Sequence, residues 1–351
     1  MSLSYAPQFN AVTAIAPSNI AFLKYWGKRN SELQWPANNS LSMTLSSCKT
    51  VTSAQPSNEN FDSFNFNGST INSLSSPSHK VFNHLNRLRT NLNIKTHLEI
   101  ESYNTFPAEC GIASSASGFA AMTIASAAAL LQTATWDELS TLGATRNNLA
   151  QWARMGSGSA CRSLYGGFVA WMAGPSAQEQ KIEQLWTPDY WDLADVIVVI
   201  SSAGKSVSST EAHRGAWASP LFSPRIANID ARFRRMRSAI ESKDLEFLGE
   251  DLEAEALEMH AVSMTGSPQV NYLTNSTTDF ITWVRNERRR GQMPAWFTMD
   301  AGPNVHLICK RQDAEVVRLR VQQSWDKFSL ITDSVGHGPQ LLSGRGVTAN
   351  V

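Results

Sequence analysis

The sequence is poor in cysteine and carries no net charge. Four of its 351 residues are cysteines, and they are scattered without the spacing of metal ligands: Cys48, Cys110, Cys161 and Cys309. This pattern excludes a cysteine metal site and indicates reduced, packing cysteines of a cytoplasmic protein. Thirty lysines and arginines balance thirty aspartates and glutamates. The net charge of the protein therefore does not favour binding of nucleic acid or of an anionic membrane. Binding of an anionic ligand would need a local cluster of cationic or hydrogen-bonding groups.

Long hydrophobic runs and internal repeats are also missing. The most apolar stretches, 119–131 and 194–200, are too short or too rich in serine and threonine to span a bilayer. The first residues lack a basic segment followed by an apolar run, so we expect no signal peptide. No repeat has the period of a solenoid or propeller. These absences predict a cytoplasmic protein without a membrane partner.

The length and the hydrophobic pattern predict two lobes of α+β structure. A chain of 351 residues exceeds the usual size of one core, and we place the boundary in the mixed segment before residue 195. The expected lobes are 1–194 and 195–351. Periodicity predicts strands at 11–16, 41–45, 96–103, 168–172, 195–201 and 328–332, a hairpin around Asn67-Gly68, and a strand–turn–strand unit at 296–309. It predicts an alanine-rich helix running to Leu131, further helices at 80–92, 135–144, 147–155, 226–242, 244–264, 276–290 and 315–324, and a loose tail from Gly336.

The stretch FPAECGIASSASGFAA, from Phe106 to Ala121, has the composition of a phosphate-binding loop. Gly111 permits close approach of a ligand, and Ser114 and Ser115 open an alanine-rich helix whose N-terminus favours anions. No Gly-Lys-Ser/Thr follows the glycine, which excludes the Walker pattern. A buried helix whose small residues only allow close packing would give the same composition, so the stretch alone does not decide.

Two further clusters could contact a phosphorylated ligand. In APSNIAFLKYWGK, Lys24 and Lys28 flank Tyr25, although a solvated helix face with a buried tryptophan has similar spacing. In GSGSACRSLYGG, Arg162 supplies a planar fork for a carboxylate or phosphate, although a flexible turn would also be rich in glycine and serine. Asp300 lies in a Gly-Pro turn, where a carboxylate is often only a turn cap.

The motifs APSNIAFLKYWGK, PANNSLSMTL, IASSASGFAA, SGSACRSLYGG, VSSTEA and MDAGPN occur in this order from Ala16 to Asn304. This series resembles the diphosphomevalonate decarboxylase family of the GHMP kinase superfamily. The resemblance implies the α+β GHMP kinase fold, with the active site in the cleft between two lobes. The N-terminal lobe would be of the ribosomal protein S5 domain 2-like type and the C-terminal lobe a ferredoxin-like α/β sandwich.

The resemblance also implies a reaction and the residues that perform it. ATP would phosphorylate or activate a tertiary hydroxyl of mevalonate 5-diphosphate; loss of phosphate and CO2 would then give isopentenyl diphosphate. Asp300 would orient or deprotonate the hydroxyl, Lys24 would stabilise charge on the phosphate, and Arg162 would hold the substrate carboxylate. The implied substrate-binding residues are Asn19, Tyr25, Lys28, Ser157, Ser159, Arg162 and Ser209. The implied ATP-binding residues are Gly111, Ala113, Ser114, Ser115 and Ser117, with Mg²⁺ expected near Ser115 and a homodimer as the expected assembly.

Glu109 departs from the family's phosphate loop. Its carboxylate would repel polyphosphate if it faced the ligand, so we expect it to face solvent or a cation. A basic residue contributed by the helix after the hairpin is harder to place, and Lys80 is the candidate. The alternatives are a decarboxylase for the 5-monophosphate, a kinase that stops after phosphorylation, and a ligand sensor without turnover.

Overall fold

A computed structural model describes residues 11–71, 76–106, 114–201 and 207–345, without the side chains of 76–78. The strands are β1 Val12–Leu23, β2 Lys28–Asn30, β3 Trp35–Pro36, β4 Ser40–Pro56, β5 Ser63–Phe66, β6 Ser69–Thr70, β7 Leu98–Asn104, β8 Phe168–Met172, β9 Lys181–Trp186, β10 Leu193–Val199, β11 Ala295–Thr298, β12 Val305–Lys310, β13 Ser329–Ser334 and β14 Gln340–Ser343. The helices are α1 Ser76–Leu92, α2 Ser114–Leu131, α3 Trp136–Thr141, α4 Arg146–Gly156, α5 Ser209–Gly215, α6 Phe222–Ser242, α7 Leu245–Thr265, α8 Asn275–Arg289 and α9 Ala314–Ser324. Short 3₁₀ helices occupy Gly158–Leu164, Pro188–Tyr190, Ala216–Ala218 and Arg311–Asp313.

The first lobe is built on a large sheet in which the long strands β1 and β4 pair antiparallel. Strand β1 continues to Leu23, although the sequence predicted its end at Pro17. The ladder shifts register between Pro17 and Asn19, and a bulge tolerates a residue that lacks a backbone N–H. The extension carries the chain across the lobe and brings Lys24 to the cleft. This segment is therefore not a solvated helix.

The tail is more ordered than predicted. Gln340–Ser343 forms β14, which pairs antiparallel with β1 from Val12↔Ser343 to Ile15↔Gln340. The prediction of a loose tail from Gly336 was wrong for these residues. Glycine-rich sequence near the end of a chain favours mobility, but the free edge of β1 supplies backbone partners that local sequence does not reveal.

Helix α2 is the central helix of the first lobe. Its alanines pack closely against β1 and β4, and thirteen of its eighteen residues are buried. Within the described part of the chain, α2 is the one helix long and apolar enough to cross a membrane by length and composition alone. Since 72% of it is buried inside the protein, it has the surroundings of a core helix.

The second lobe contains the antiparallel sheet β11-β12-β10-β13. One face, with Val196, Val198 and Leu307, packs in a core with residues of α8 and α9. The opposite face, with Ile197 and Ile308, joins a core that includes residues of α6, α7 and the first sheet. The two lobes therefore share packed surface, and the expected two-lobed α+β architecture is confirmed. The division at residue 194 itself stays a prediction.

A buried carboxylate links the lobes. Asp333 on β13 accepts hydrogen bonds from the backbone N–H groups of Ser46, Ser47 and Cys48 on β4, each at 2.8 Å. Three donors from consecutive residues satisfy a charge that would be costly to bury alone. This contact fixes the second sheet against β4 of the first.

Candidate active site

Two adjoining cavities occupy the cleft between the lobes. The Asp300 cavity, about 610 Å³, is lined among others by Lys24, Arg162 and Asp300, and the Lys28 cavity, about 630 Å³, by Lys28, Lys80 and Ser157. Five residues line both: Tyr25, Ser115, Ser159, Ser209 and His213. The cavities thus form one continuous site in the cleft.

Lys24 and Asp300 form an ion pair in the Asp300 cavity. Lys24 follows the end of β1 and is 2% exposed, and its Nζ lies 2.8 Å from Asp300 Oδ1. Burial alone would raise the pKa of Asp300, but the charge of Lys24, followed by that of His306, holds this pKa below its ordinary value. Asp300 is therefore ionised at neutral pH. An ionised carboxylate can accept a hydrogen bond or a proton from a substrate hydroxyl.

The backbone of Lys24 is held from both sides. Its N–H donates to Glu255 Oε1 on α7 at 3.0 Å, and its carbonyl accepts from Asn38 Nδ2 at 2.9 Å. Glu255 is fully buried and paired with Arg225 and Arg232. Burial would raise the pKa of Glu255, but these two guanidinium groups lower it, so the acceptor stays charged. A buried ionic network of the second lobe therefore fixes a lysine of the first.

Arg162 is a buried cation with neutral partners. Its Nε donates to Asn19 Oδ1 and Ser42 Oγ, Nη1 donates to Ser40 Oγ, and Nη2 donates to Asn19 Oδ1, all at 2.8–3.2 Å. These contacts use three of the five guanidinium N–H groups and leave one on each terminal nitrogen. Arg162 is 2% exposed and lines the Asp300 cavity. A ligand carboxylate in this cavity would compensate the positive charge of Arg162 and accept hydrogen bonds from its two remaining N–H groups.

Two predicted ligand contacts do not line either cavity. Asn19 is buried behind Arg162, where Oδ1 orients the guanidinium and Nδ2 donates to Ser163 Oγ at 2.8 Å. Ser117 is buried in α2, accepts from Thr50 Oγ1 at 2.7 Å and donates to the Ser114 carbonyl. Asn19 therefore orients Arg162, and its predicted contact with the substrate stays a prediction. The predicted ATP contact of Ser117 gains no support from its position.

The phosphate-binding stretch is described from Ser114 onward. Ser114 begins α2, and the hydroxyl of Ser115 lies 3.1 Å from that of Ser157 and faces both cavities. The other predicted loop residues, Gly111 and Ala113, and the divergent Glu109 lie outside the described residues. Ser115 and Ser157 thus bring the start of α2 and the GSGSACRSLYGG segment to one wall of the site.

Comparison with known proteins gives the family. A diphosphomevalonate decarboxylase-like N-terminal domain matches residues 16–182, and a mevalonate 5-diphosphate decarboxylase C-terminal domain matches residues 195–342. The chain is 37% identical over 347 residues to diphosphomevalonate decarboxylase of Candida albicans, covering 94% of this chain and 90% of that protein. The chain belongs to the diphosphomevalonate decarboxylase family.

Solved structures of diphosphomevalonate decarboxylases have the same fold. The Enterococcus faecalis enzyme superposes with a TM-score of 0.85 at 32% identity, covering 95% of this chain and 99% of that one. The Staphylococcus aureus enzyme gives 0.86 at 31% identity, covering 95% and 98%. Another structure, solved with MVAPP, AMPPCP and magnesium, gives 0.86 at 32% identity, covering 95% and 99%. The resemblance and the GHMP kinase fold inferred from the motifs are confirmed.

Within this family fold, the Lys28 cavity is strongly cationic. Burial lowers the pKa of Lys28 to about 8, and the charges of Lys80 and Arg214 add to the decrease. Lys80, the candidate for a basic residue of the helix after the hairpin, lines the cavity with Lys28. A bound anion would stabilise the protonated form of Lys28 against burial and these neighbouring charges. This end of the cleft suits a phosphate-bearing group.

His213 is a site residue that the sequence reasoning missed. Its Nδ1 accepts the Gly27 N–H at 3.0 Å, and its ring lies 4.4 Å from the Tyr25 ring and 4.5 Å from the Trp26 ring, between centroids. Burial, followed by the charge of Lys28, lowers the pKa of His213, so the ring is neutral with its proton on Nε2. The sequence signal that could have found His213 was its spacing from Ser209. The two residues are four apart on α5, and residues four apart share a helix face.

Proposed function

We propose that this protein catalyses the ATP-dependent decarboxylation of mevalonate 5-diphosphate to isopentenyl diphosphate, releasing ADP, phosphate and CO2. The observation that carries the proposal is the arrangement in one cavity of an ionised carboxylate, Asp300, and a buried cation, Arg162, that pairs with no carboxylate among the residues the structure describes. The adjoining cavity, with Lys28 and Lys80, suits a diphosphate. Family membership and the relatives solved with MVAPP and AMPPCP support the same assignment.

In the first step, Asp300 accepts the proton of the substrate's tertiary hydroxyl as its oxygen attacks the γ-phosphorus of ATP. The new oxygen–phosphorus bond forms, the bond to ADP breaks, and ADP takes the electron pair. A tertiary alcohol is a weak nucleophile, so a general base hydrogen-bonded to it accelerates the attack. Lys24, fixed by its backbone contacts to Glu255 and Asn38, neutralises charge that develops on the transferred phosphoryl group.

In the second step, phosphate leaves with the electron pair of the carbon–oxygen bond, and positive charge develops on the tertiary carbon. The bond between the neighbouring carbon and the carboxylate then breaks, and its electron pair forms the double bond as CO2 departs. Until then, the two free N–H groups of Arg162 hold the carboxylate. Asn19, Ser40 and Ser42 keep the guanidinium in place.

ATP and Mg²⁺ fit the wall formed by the start of α2. The Ser115 hydroxyl faces both cavities beside Ser157, and hydroxyl oxygen is a ligand type that Mg²⁺ accepts together with phosphate oxygens and water. Bound there, Mg²⁺ would neutralise charge on the ATP phosphates. The described residues contain no cluster of three or more histidine, cysteine, aspartate or glutamate side chains suited to a metal. Ser115 is the residue we assign to the cation.

The substrate's phosphate count and the final step separate this function from its alternatives. A 5-monophosphate would leave part of the Lys28–Lys80 charge uncompensated, which favours the diphosphate. Phosphorus NMR of wild-type protein with ATP and mevalonate 5-diphosphate should show ADP, inorganic phosphate and isopentenyl diphosphate in equal amounts. Accumulation of a phosphorylated substrate without inorganic phosphate would instead identify a kinase.

Lys28 predicts a pH dependence. Below about pH 8, Lys28 of the free enzyme is protonated, and this cation binds the diphosphate. Above this pH, Lys28 of the free enzyme loses its proton and its positive charge. We expect kcat/KM for mevalonate 5-diphosphate to fall as pH rises through about 8. We expect kcat to change less, because the bound diphosphate keeps Lys28 protonated in the complex. Steady-state kinetics over pH 6–9.5 measures this.

The matched variant for this test is Lys28→Arg, whose charge persists over the whole range. It should remove the decline near pH 8 even if its kcat/KM is lower overall. A decline of the same size in Lys28→Arg would assign the titration to another group.

Location and assembly belong to the same proposal. The buried thiols of Cys161 and Cys309 are free, which fits a reducing cytoplasm, and the resemblance to the family implies a dimer. We expect a cytoplasmic homodimer. Light scattering of the purified protein, with a molar mass near twice 38.6 kDa, tests the assembly; a mass near 38.6 kDa contradicts it.

A further inference from the structure

His213 on α5 is a buried side chain of the site to which the proposed reaction assigns no role. It is 6% exposed, and it lines both the Asp300 cavity and the Lys28 cavity. Its ring packs against the rings of Tyr25 and Trp26, with centroid separations of 4.4 Å and 4.5 Å. With its faces covered by these aromatic side chains, the imidazole meets the cavities along an edge.

The hydrogen bond with Gly27 fixes which ring nitrogen of His213 carries the proton. Nδ1 lies 3.0 Å from the backbone nitrogen of Gly27, whose N–H group can only donate, so Nδ1 is the acceptor. The proton of the neutral ring is therefore on Nε2. A second proton on Nδ1 would set two N–H groups against each other and break this contact. His213 is thus a fixed and uncharged hydrogen-bond donor.

The Nε2–H group of His213 is the donor that the fold leaves for a ligand. Among the residues that the structure describes, none accepts a hydrogen bond from Nε2. Gly27 occupies the Nδ1 edge of the ring, so the edge that carries Nε2 is left to meet the cavities. Buried N–H groups are costly without an acceptor. A donor held on a cavity wall in this way indicates an acceptor on the bound molecule.

The position of His213 selects the part of the substrate that it meets. In the proposed binding mode, the carboxylate lies at Arg162 and the tertiary hydroxyl at Asp300, whereas the diphosphate lies at Lys28 in the adjoining cavity. A residue that lines both cavities therefore faces the chain between these two ends. The methylene groups of that chain accept no hydrogen bond. The acceptor nearest to them is the phosphate bonded to the 5-oxygen.

We propose that His213 is a substrate-binding residue whose Nε2–H donates a hydrogen bond to the phosphate nearest the carbon chain of the substrate. This role rests on the proposed function, which supplies the identity of the substrate. An uncharged donor binds this phosphate without adding positive charge beside Lys28. Anchoring the near phosphate also fixes how far the carbon chain extends toward Asp300, and so helps to place the hydroxyl at the base.

The phosphates of ATP are the competing acceptor. Ser115, at the start of α2, also lines both cavities, and we assign that wall to ATP. His213 instead lies on α5 and packs against Tyr25, whose ring centroid is 5.9 Å from Lys28 Nζ. His213 is therefore grouped with the side chains that we assign to the substrate. An effect on ATP in place of the diphosphate is the outcome that would contradict this grouping.

Two substitutions separate the functions of the two ring nitrogens. In His213→Asn, the amide oxygen can take the place of Nδ1 and accept the Gly27 N–H, but no group replaces Nε2. In His213→Gln, the longer side chain can place an amide N–H near the position of Nε2, but the acceptor for Gly27 is lost. A substrate contact through Nε2 predicts that asparagine loses more affinity than glutamine. A purely structural role of the Gly27 contact predicts the reverse order.

Isothermal titration calorimetry with mevalonate 5-diphosphate measures the affinity of each variant without turnover. We expect Kd to rise about tenfold in His213→Asn, as for loss of one hydrogen bond to a charged acceptor, and glutamine to recover most of this loss. KM for ATP should stay within about threefold of wild type in both variants, because neither change removes an ATP contact. An equal or larger loss of affinity in His213→Gln would overturn the proposal. So would a tenfold rise in KM for ATP with Kd for the diphosphate unchanged.

His84→Asn is the matched control. His84 is also a buried histidine, 1% exposed, and its Nε2 lies 2.8 Å from Thr123 Oγ1, but it lines neither cavity. Its replacement should lower Tm and leave Kd for mevalonate 5-diphosphate unchanged. A rise in Kd like that of His213→Asn would assign the loss to general destabilisation and contradict the proposal.

Nitrogen NMR of wild-type protein with isotope-labelled histidine tests the same contact without relying on a variant's stability. The Nε2 resonance of His213, assigned by its absence from whichever His213 variant folds, should be that of a protonated ring nitrogen. It should shift when mevalonate 5-diphosphate is added without ATP. A resonance that does not move at saturating diphosphate would overturn the proposal.

Failure of the proposed function is distinguishable from failure of this proposal. Wild-type protein that binds mevalonate 5-diphosphate but releases no CO2 would refute the function, while the calorimetry would still decide the role of His213. Normal decarboxylation with an unchanged Kd in His213→Asn would refute the role of His213 alone. Wild-type protein that does not bind mevalonate 5-diphosphate would refute both.

Discussion

Replacing Asp300 with asparagine should reduce kcat by about 10³-fold, as expected for loss of a general base. Asparagine keeps the size of the side chain but cannot accept the hydroxyl proton, and it also removes the counter-charge of Lys24 2.8 Å away. The affinity for mevalonate 5-diphosphate should stay within about tenfold, because Asp300 acts mainly in the transition state. Single-turnover kinetics together with equilibrium binding of the diphosphate separates the two effects.

Asp62→Asn is the matched control for this variant. Asp62 is also a largely buried carboxylate, paired with Arg89 at 2.7 Å, but it lines neither cavity. Its replacement should lower the free energy of unfolding without a comparable loss of kcat. If Asp300→Asn turned over within about tenfold of wild type, the assignment of the base would be wrong.

Replacing Arg162 with lysine should lower kcat/KM by about 10²- to 10³-fold. Disrupting a buried, hydrogen-bonded charge pair costs about 2–5 kcal/mol, and an ammonium cannot reproduce a planar fork held by Asn19, Ser40 and Ser42. The substrate carboxylate would lose its orientation as well as its paired donors. Steady-state kinetics with ATP in excess measures the loss.

Arg154→Lys controls for changing a buried arginine. Arg154 is 9% exposed, donates to the Leu33 carbonyl and to Gln151, and lines neither cavity. We expect its kcat/KM to remain within about threefold of wild type, in line with loss of an interaction outside the site. An Arg162→Lys enzyme that performs as well as Arg154→Lys would show that the fork is not needed.

The sequence predicted the site residues best where a motif carries its own chemistry. Lys24, Arg162 and Asp300 are far apart along the chain, and only the ordered family motifs connected them before the structure placed them around one cavity. Hydrophobic spacing also located α7 closely, because a long helical stripe is a local property. What is local in sequence, or specific to a motif, could therefore be predicted.

Long-range partners could not be predicted in this way. Glu255 lies on the stripe with Leu252 and Met259, and nothing local shows that its carboxylate accepts the backbone N–H of Lys24. The pairing of β14 with β1 joins opposite ends of the chain and depends on a free strand edge. The contact expected between Asn19 and the substrate stays a prediction, and nothing local shows that Asn19 Oδ1 accepts hydrogen bonds from Nε and Nη2 of Arg162. In each case the tertiary fold decided which partner a polar group meets.

The most direct test of the proposed reaction follows labelled CO2 from carboxyl-labelled mevalonate 5-diphosphate and, in parallel, from the 5-monophosphate, with ADP measured in both. The proposed function predicts equal amounts of CO2 and ADP with the diphosphate, and little of either with the monophosphate. CO2 released from the monophosphate alone, ADP formed without CO2, or neither product from either substrate would contradict it.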